Sequence, residues 1–293
     1  MNGAPPMDPH HYIPLVDIGP GSQPEDDATL EYINMPQGMY THALPLLPEP
    51  QVLDAAPGAR QVLGEILHML RSRHVGDTPP SLDLRAYSPA DRVLLDQLLG
   101  EGEVSAHIGG TDGVRIQESI FAGVWRVLGA GLDYIDVDAA PALLRRAAKF
   151  DISTAALAPA SPLPAGVMNA PAILTELQDR TLHWLPGSAA HVINLSLLPL
   201  SEQDVPFLDQ CLGEGTVLML VRGYGNCRIS NTRVPNCWRV RYFNSQDALI
   251  LDTIEVTDLP EVVMAAPEDI ADSLERFEDV IQWFEGELAG SDQ

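Results

Sequence analysis

The fold is decided by the stretch SPADRVLLDQLLGEGEVSAHIGGTDGVRIQESIFAGVWRV (Ser88–Val127), because the sequence returns to it 113 residues later, without a gap, as SEQDVPFLDQCLGEGTVLMLVRGYGNCRISNTRVPNCWRV (Ser201–Val240). Sixteen of the 40 aligned positions are identical, where average composition would give about 2 or 3. Such a match predicts two copies of one structural unit. The identical pairs include Ser88 and Ser201, Asp91 and Asp204, Glu101 and Glu214, Arg115 and Arg228, and Arg126 and Arg239.

Each copy has the pattern of a capped helix followed by antiparallel strands. Ser88 and Ser201 are N-cap candidates, and Gly100 and Gly213 stand where the helix must stop. A strand, a Gly/Asn-rich hairpin turn and three further strands follow, and a helix and a short strand precede. The run Val217–Val221 is apolar throughout, which predicts a strand covered on both faces.

We therefore predict an α+β fold made of two tandem copies of a helix–strand–helix–antiparallel-meander unit, related by a pseudo-twofold axis. The first copy spans 51–154 and the second 169–262. An extended or disordered leader, rich in Pro, Gly and acids, occupies 1–50, and an Ala/Pro linker occupies 155–168. A capped amphipathic helix within 263–293 ends the chain.

The charge balance is strongly acidic and limits the classes of partner. Seventeen Lys and Arg against 41 Asp and Glu give a net charge of −24, which repels phosphate backbones and anionic lipids. We expect no nucleic-acid binding and no membrane insertion; a basic partner is favoured, although acidity can also serve only to keep a protein in solution. Met1–Pro14 lacks the pattern of a signal peptide, so the expected compartment is the cytoplasm.

The cysteines are predicted to be core residues and not metal ligands. The repeat places each one where the other copy has an aliphatic residue: Cys211 opposite Leu98, Cys227 opposite Val114, and Cys237 opposite Val124. Iron or iron–sulfur ligation is the alternative. His10 and His11 have no acidic or cysteine partner at ligand spacing. We expect no metal site and no cofactor.

The Gly-Glu-Gly turns and the Trp-Arg pairs supply the candidate functional residues. A dinucleotide loop follows a strand, whereas these glycines follow a helix, so nucleotide binding is not expected. The turn glutamates are solvated, or form a paired acid and base, or hold a basic peptide; the arginines pair with acids or contact a partner. The candidate partner-binding residues are Glu101, Glu103, Glu214, Arg126 and Arg239; no catalytic residue is assigned.

Several segments together resemble one known family. They are GPGSQPEDD at 19–27, LLGEGEV at Leu98–Val104, QE…GVWR from Gln117 to Arg126, and PEVV…AAPED from Pro260 to Asp269. In these segments, and over essentially its whole length, the chain resembles the HupH/HyaF/HoxQ hydrogenase expression proteins.

The resemblance implies a non-enzymatic accessory protein for maturation of a [NiFe] hydrogenase. Members of this family are encoded with membrane-bound uptake hydrogenases, and are thought to act on the small subunit before export. They are associated with its twin-arginine leader and with a thioredoxin-like accessory protein. The resemblance thus implies a chaperone for the small-subunit precursor. Two alternatives stay open: an iron or iron–sulfur carrier, and an enzyme that uses Glu101 and Glu214.

Overall fold

The fold is centred on one sheet of ten strands, all antiparallel to their neighbours. The computed structural model describes residues 56–72, 81–109, 113–129, 131–150, 162–223 and 225–290. The strands are β1 (Leu82–Asp83), β2 (Val104–Ile108), β3 (Val114–Glu118), β4 (Val124–Gly129), β5 (Leu132–Val137), β6 (His191–Asn194), β7 (Val217–Arg222), β8 (Asn226–Asn231), β9 (Cys237–Phe243) and β10 (Leu249–Val256). The expected leader and the first half of the expected linker, 155–161, lie outside the described residues.

Six α-helices accompany the sheet in the described part of the chain. They are α1 (Pro57–Ser72), α2 (Pro89–Leu99), α3 (Ala142–Phe150), α4 (Ala170–Leu182), α5 (Asp204–Leu212) and α6 (Pro267–Gly290). Short 3-10 helices cover Leu195–Leu197 and Glu261–Val263. The predicted α+β class and the predicted C-terminal helix are confirmed. None of the described helices is both long enough and apolar enough to cross a membrane.

The strand order is β1-β5-β4-β3-β2-β7-β8-β9-β10-β6. Strands β2 and β7 are therefore neighbours in the middle, where Val104 pairs with Val221 and Ile108 with Val217. The five strands of lower number lie on one side of this junction and the five of higher number on the other.

Three apolar clusters hold the helices to the sheet. One face is covered at its middle by α3, which packs with the fully buried rings of Trp125 and Trp238. The opposite face carries α1, α2 and α6 at one end, with Phe121 against Phe277 edge to face. Helices α4 and α5 cover its other end around Leu174. This packing leaves the middle of that face without a helix among the described residues.

The apolar strand β7 is accordingly covered on one face and not on two. Met219 is fully buried, but Leu218 is 54% exposed. The prediction of a strand covered on both faces was wrong, because α2 and α5 lie above the outer strands and not above the centre. Apolar composition alone does not distinguish a second covering layer from an uncovered binding surface.

Two buried aspartates fix where the helices begin. Asp91 completes a capping box with Ser88 and also accepts a hydrogen bond from the N–H of Ala59 in α1. Asp204 makes the same reciprocal bonds with Ser201, although the helix there begins at Asp204 itself, two residues later than the N-cap prediction implies.

Asp204 also anchors the start of α4. Its carboxylate accepts hydrogen bonds from the backbone N–H groups of Met168, Asn169, Ala170 and Ser201 at 2.8–3.0 Å, and its side chain is fully buried. Burial acts to raise the pKa of Asp204, but these four donors outweigh burial and hold the pKa well below its usual value. One carboxylate thus ties two helices together.

We expect Asp204→Ala to lower the free energy of unfolding by about 3 kcal/mol, because four backbone N–H groups, one buried and three partly buried, lose their charged acceptor. Guanidinium unfolding at neutral pH measures the change. The control is Asp272→Ala, which removes an exposed carboxylate from α6 and should cost less than about 0.5 kcal/mol. Equal effects of the two substitutions would contradict the anchoring role.

Candidate functional site

The Gly-Glu-Gly turns are built by the backbone and expose one glutamate each. Gly100 and Gly213 have φ angles of 57° and 65°, which favour glycine. A Cβ at the third position of the first turn, Gly102, would collide with the carbonyl oxygen of Ser119. In the second turn, a Cβ at Gly215 would collide with the side-chain amide of Asn231. These glycines are required by geometry and not by a bound phosphate.

The two turn glutamates do not meet. Glu101 precedes the end of the β2–β7 pair at which Val104 faces Val221, and Glu214 precedes the opposite end, where Val217 faces Ile108. Four residue steps of about 3.4 Å place these two ends roughly 14 Å apart. The register therefore does not support a paired acid and base. Glu101, Glu214 and the neighbouring Glu103 are all exposed.

Arg126 and Arg239 hold helices α2 and α5 against the sheet. Arg126 pairs with Asp96 of α2 at 2.7 Å and with Asp133 of β5 at 2.6 Å. A buried guanidinium needs such partners, because leaving water is costly for a charge. Arg239 repeats the arrangement with two acids, Asp209 of α5 at 3.3 Å and Asp252 of β10 at 2.6 Å. Both arginines are buried, so pairing with acids accounts for them.

Between α2 and α5 lies a surface that no described helix covers, here called the open strip. It consists of the outward-facing residues of the four central strands: Ser105 and His107 of β2, Arg115 and Gln117 of β3, Leu218, Leu220 and Arg222 of β7, and Asn226, Arg228 and Ser230 of β8. A groove of about 520 Å³ lies over the β4–β3–β2–β7 part of the strip, with Glu101 at its edge.

The sequence analysis missed the open strip as a site. Two signals for it were present: the repeat keeps an arginine at Arg115 and Arg228, and leucines occupy outward positions of β7. Because side chains alternate between the two faces along β2 and β3, the other outward-facing residues of the strip in these strands could then be assigned. What was missing is the position of the covering helices, which a repeat alone does not specify.

A buried carboxyl group lies beside the first turn. Glu118 is 6% exposed and accepts a hydrogen bond from the N–H of Gly123 at 3.3 Å. Burial raises the pKa of Glu118 to about 7. The position 113 residues later is Asn231, whose side-chain oxygen accepts from the N–H of Val217 at 2.9 Å. A carboxyl group with a raised pKa and an amide thus occupy matching places in the two turns.

The cysteines lie on different faces and do not form a ligand set. Cys227 packs in the cluster under α3, whereas Cys237 packs on the opposite face with α4 and α5. Burial raises the pKa of these thiols to about 11 and about 12, which disfavours the thiolate that metals bind. Cys211 is partly buried and packs against the apolar cluster of α4 and α5, so it lies at the margin of the core. Among the described residues no group of three or more His, Cys, Asp or Glu is placed to hold a metal ion.

Fold and site together define an antiparallel α+β protein with exposed acidic turns and an open sheet surface. The family model of the HupH hydrogenase expression protein, C-terminal conserved region, matches residues 56–156 and 167–284. The chain therefore belongs to the HupH hydrogenase expression protein family.

Similar proteins carry related names. The chain is 53% identical to the hydrogenase expression/formation protein HoxQ of Cupriavidus necator, covering 92% of this chain and 97% of HoxQ. It is 46% identical to HupH of Rhodobacter capsulatus, at 92% and 97% coverage. It is 34% identical to the hydrogenase-1 operon protein HyaF of Escherichia coli, at 91% and 95%. One solved structure is that of the hydrogenase expression protein HupH from Thiobacillus denitrificans, which is 31% identical in sequence. The match covers 40% of this chain and 96% of the HupH chain, with a TM-score of 0.36.

The raised pKa of Glu118 predicts an unusual dependence of stability on pH. The folded protein binds this proton more tightly than the unfolded chain, whose Glu pKa is about 4.5, so stability falls as the pH rises from about 4.5 through about 7. The full difference is about 3 kcal/mol. Glu118→Gln should remove this loss. Denaturant unfolding at pH 5 and pH 8 compares it with the unsubstituted protein.

The matched control for this prediction is Glu101→Gln, which neutralises an exposed glutamate of the neighbouring turn. It should leave the difference in stability between pH 5 and pH 8 as it is in the unsubstituted protein. If Glu118→Gln also leaves that difference unchanged, Glu118 is ionised in the folded state at pH 5.

Proposed function

We propose that this protein is a non-catalytic accessory protein of [NiFe] hydrogenase maturation, acting in the cytoplasm by binding the small-subunit precursor before export. The observation that carries the proposal is membership of this family. Relatives that match the chain over nearly their full length are named hydrogenase expression/formation proteins. Binding and not catalysis is favoured, because the two candidate glutamates lie at opposite ends of a strand pair.

The twin-arginine leader of the precursor is the proposed point of contact. Such a leader is cationic, and a chain with a net charge of −24 attracts it over long range. The exposed glutamates of the turn regions, Glu101, Glu103 and Glu214, are the proposed contact residues. Arg126 and Arg239 contribute indirectly, because they hold α2 and α5 beside those turns. A thioredoxin-like accessory protein is the second proposed partner.

The scaffold for this role is proposed to be two copies of one unit, at 51–154 and 169–262, related by a pseudo-twofold axis. The strand order supports this, because β2 and β7 lie at the centre while β1 and β6 lie at the edges. The matching contacts of Arg126 with Asp96 and of Arg239 with Asp209 support it as well. Two turns of the same charge then lie at opposite ends of the central strands.

We expect binding of a synthetic twin-arginine leader to weaken about tenfold between 50 mM and 500 mM NaCl, because salt screens the attraction between exposed charges. Fluorescence anisotropy with the full chain measures the affinity. A leader with both arginines replaced by glutamine is the control, and it should bind weakly at both salt concentrations. Equal affinity of the natural leader at both would remove the electrostatic argument.

The contact residues are tested by neutralisation with a matched control. The triple variant Glu101→Gln, Glu103→Gln, Glu214→Gln should weaken leader binding about tenfold at low salt. A second triple variant removes three exposed charges from α6, and it should change the affinity less than about twofold. Its substitutions are Glu268→Gln, Asp272→Asn and Glu275→Gln. Equal effects would mean that net charge acts and that the turns have no particular role.

The thioredoxin-like partner is tested separately. The full chain, purified from cells that produce the hydrogenase, should bring down both that protein and the small-subunit precursor. Mass spectrometry identifies what is retained. Retention of neither would contradict the proposed partners.

A further inference from the structure

The open strip has an apolar centre with an arginine on either side. Leu218 and Leu220 project from β7 between Arg115 of β3 and Arg228 of β8. Leu218 is 54% exposed, and both arginines are exposed. An exposed apolar surface rimmed by charge is typical of a site that binds another protein.

The two arginines are little used within the described part of the chain. No described acidic side chain lies within ion-pairing distance of Arg115. Arg228 lies over the ring of Phe243, 4.5 Å from its centroid, and its only described acidic partner is the exposed Asp247 at 3.5 Å. Such an exposed pair contributes little to stability. Acids outnumber bases 41 to 17 in the chain, yet the neighbouring carboxylates of Asp96 and Asp209 are directed to Arg126 and Arg239. The strip therefore keeps positive charge available on an acidic protein.

The dimensions of the strip fit one helix. Helix α2 is fixed above β4 through Arg126, and α5 above β9 through Arg239. These strands are five spacings apart in the sheet, or about 24 Å at about 4.8 Å per spacing. Subtracting about 5 Å for the radius of each helix leaves roughly 14 Å, enough for one further helix about 10 Å wide. An extended peptide would leave part of the leucine surface uncovered.

We propose that the open strip binds an acidic amphipathic helix of a partner protein. The apolar face of that helix covers Leu218 and Leu220, and its carboxylates reach Arg115 on one side and Arg228 on the other. This is recognition of a helix in a groove, with the charge pattern selecting an acidic sequence. A cationic twin-arginine leader has the opposite charge and does not suit this surface.

The inference goes beyond the proposed function and concerns an adjoining surface, because Glu101 lies at the edge of the groove over the strip. The leader is assigned to the acidic turns, and the acidic helix to the strip between α2 and α5. Failure of one assignment therefore leaves the other standing, because the substitutions and the probes that test them are separate.

The test uses the full chain and a set of 18-residue amphipathic helical peptides as probes. All share one leucine face, and their polar face varies stepwise from all glutamate to all lysine. Fluorescence anisotropy gives each affinity for the unsubstituted protein and for the double variant Arg115→Glu, Arg228→Glu. The control double variant is Arg60→Glu, Arg180→Glu, which makes the same change of charge at exposed positions of α1 and α4.

We expect the glutamate-rich peptides to bind the unsubstituted protein at least tenfold more tightly than the lysine-rich ones. The Arg115→Glu, Arg228→Glu variant should reverse this preference, and the control variant should keep it. The milder pair Arg115→Gln, Arg228→Gln should abolish the preference without reversing it. It serves as the test if the glutamate variant does not fold, as judged by circular dichroism.

Hydrogen exchange locates the peptide. Protection of backbone amides should appear in β2 and β7 when the acidic peptide is bound. The proposal is overturned if no peptide binds below 1 mM, if affinity is independent of peptide charge, or if the control variant changes the preference as much as the strip variant does. It is also overturned if protection appears only outside the strip.

Discussion

Strands β2 and β7 pair through the register from Val104 with Val221 to Ile108 with Val217, and the remaining strands extend outward from them in both directions. This ladder makes one sheet out of the two halves of the chain. It also sets which side chains share a face, because neighbours along a strand alternate between faces. Leu218 and Met219 are adjacent in sequence, yet one is exposed and the other is in the core. A shift of one residue in this register would exchange them.

Charge pairing then determines how much of the sheet is covered. Each of α2 and α5 presents an aspartate to a buried arginine of the sheet, Asp96 to Arg126 and Asp209 to Arg239. A buried guanidinium without such a partner is strongly unfavourable, so the helices are fixed above the outer strands. As a consequence, no helix in the described part of the chain lies over the centre of the face. The buried Arg126 and Arg239 therefore have a different role from the exposed arginines of the strip, although all of them lie on the same face of the sheet.

Much of the local structure could be predicted from the sequence, because caps, glycine turns and alternation act over a few residues. The bonds of Ser88 with Asp91 and the positive φ angles of Gly100 and Gly213 follow from such signals. The open face could not be predicted, since an apolar strand has the same composition whether a helix or a partner covers it. The second role of Asp204 was also missed, because its contact with Met168 joins residues 36 apart in sequence.

The candidate site was predicted only in part for the same reason. The exposed position of Glu101 and Glu214 follows from the turn, but their separation depends on the register of β2 with β7. Arg126 and Arg239 were identified by the repeat, yet their burial and ion pairs depend on where the helices lie. Arg115 and Arg228 are also identical positions of the repeat. That an exposed apolar surface lies between them is seen only in the folded sheet.

The edges of the sheet have a consequence for the molecule in solution. An antiparallel edge strand offers unpaired backbone groups, and a neighbouring molecule can add its own strand there. The outermost strands are brief: β1 has two residues, and β6 has four before the chain turns into the 3-10 helix at Leu195–Leu197. A short edge strand offers an incoming strand few hydrogen bonds. Strand pairing of the kind that joins β2 to β7 within the molecule is therefore not easily continued from one molecule to the next to form a fibre.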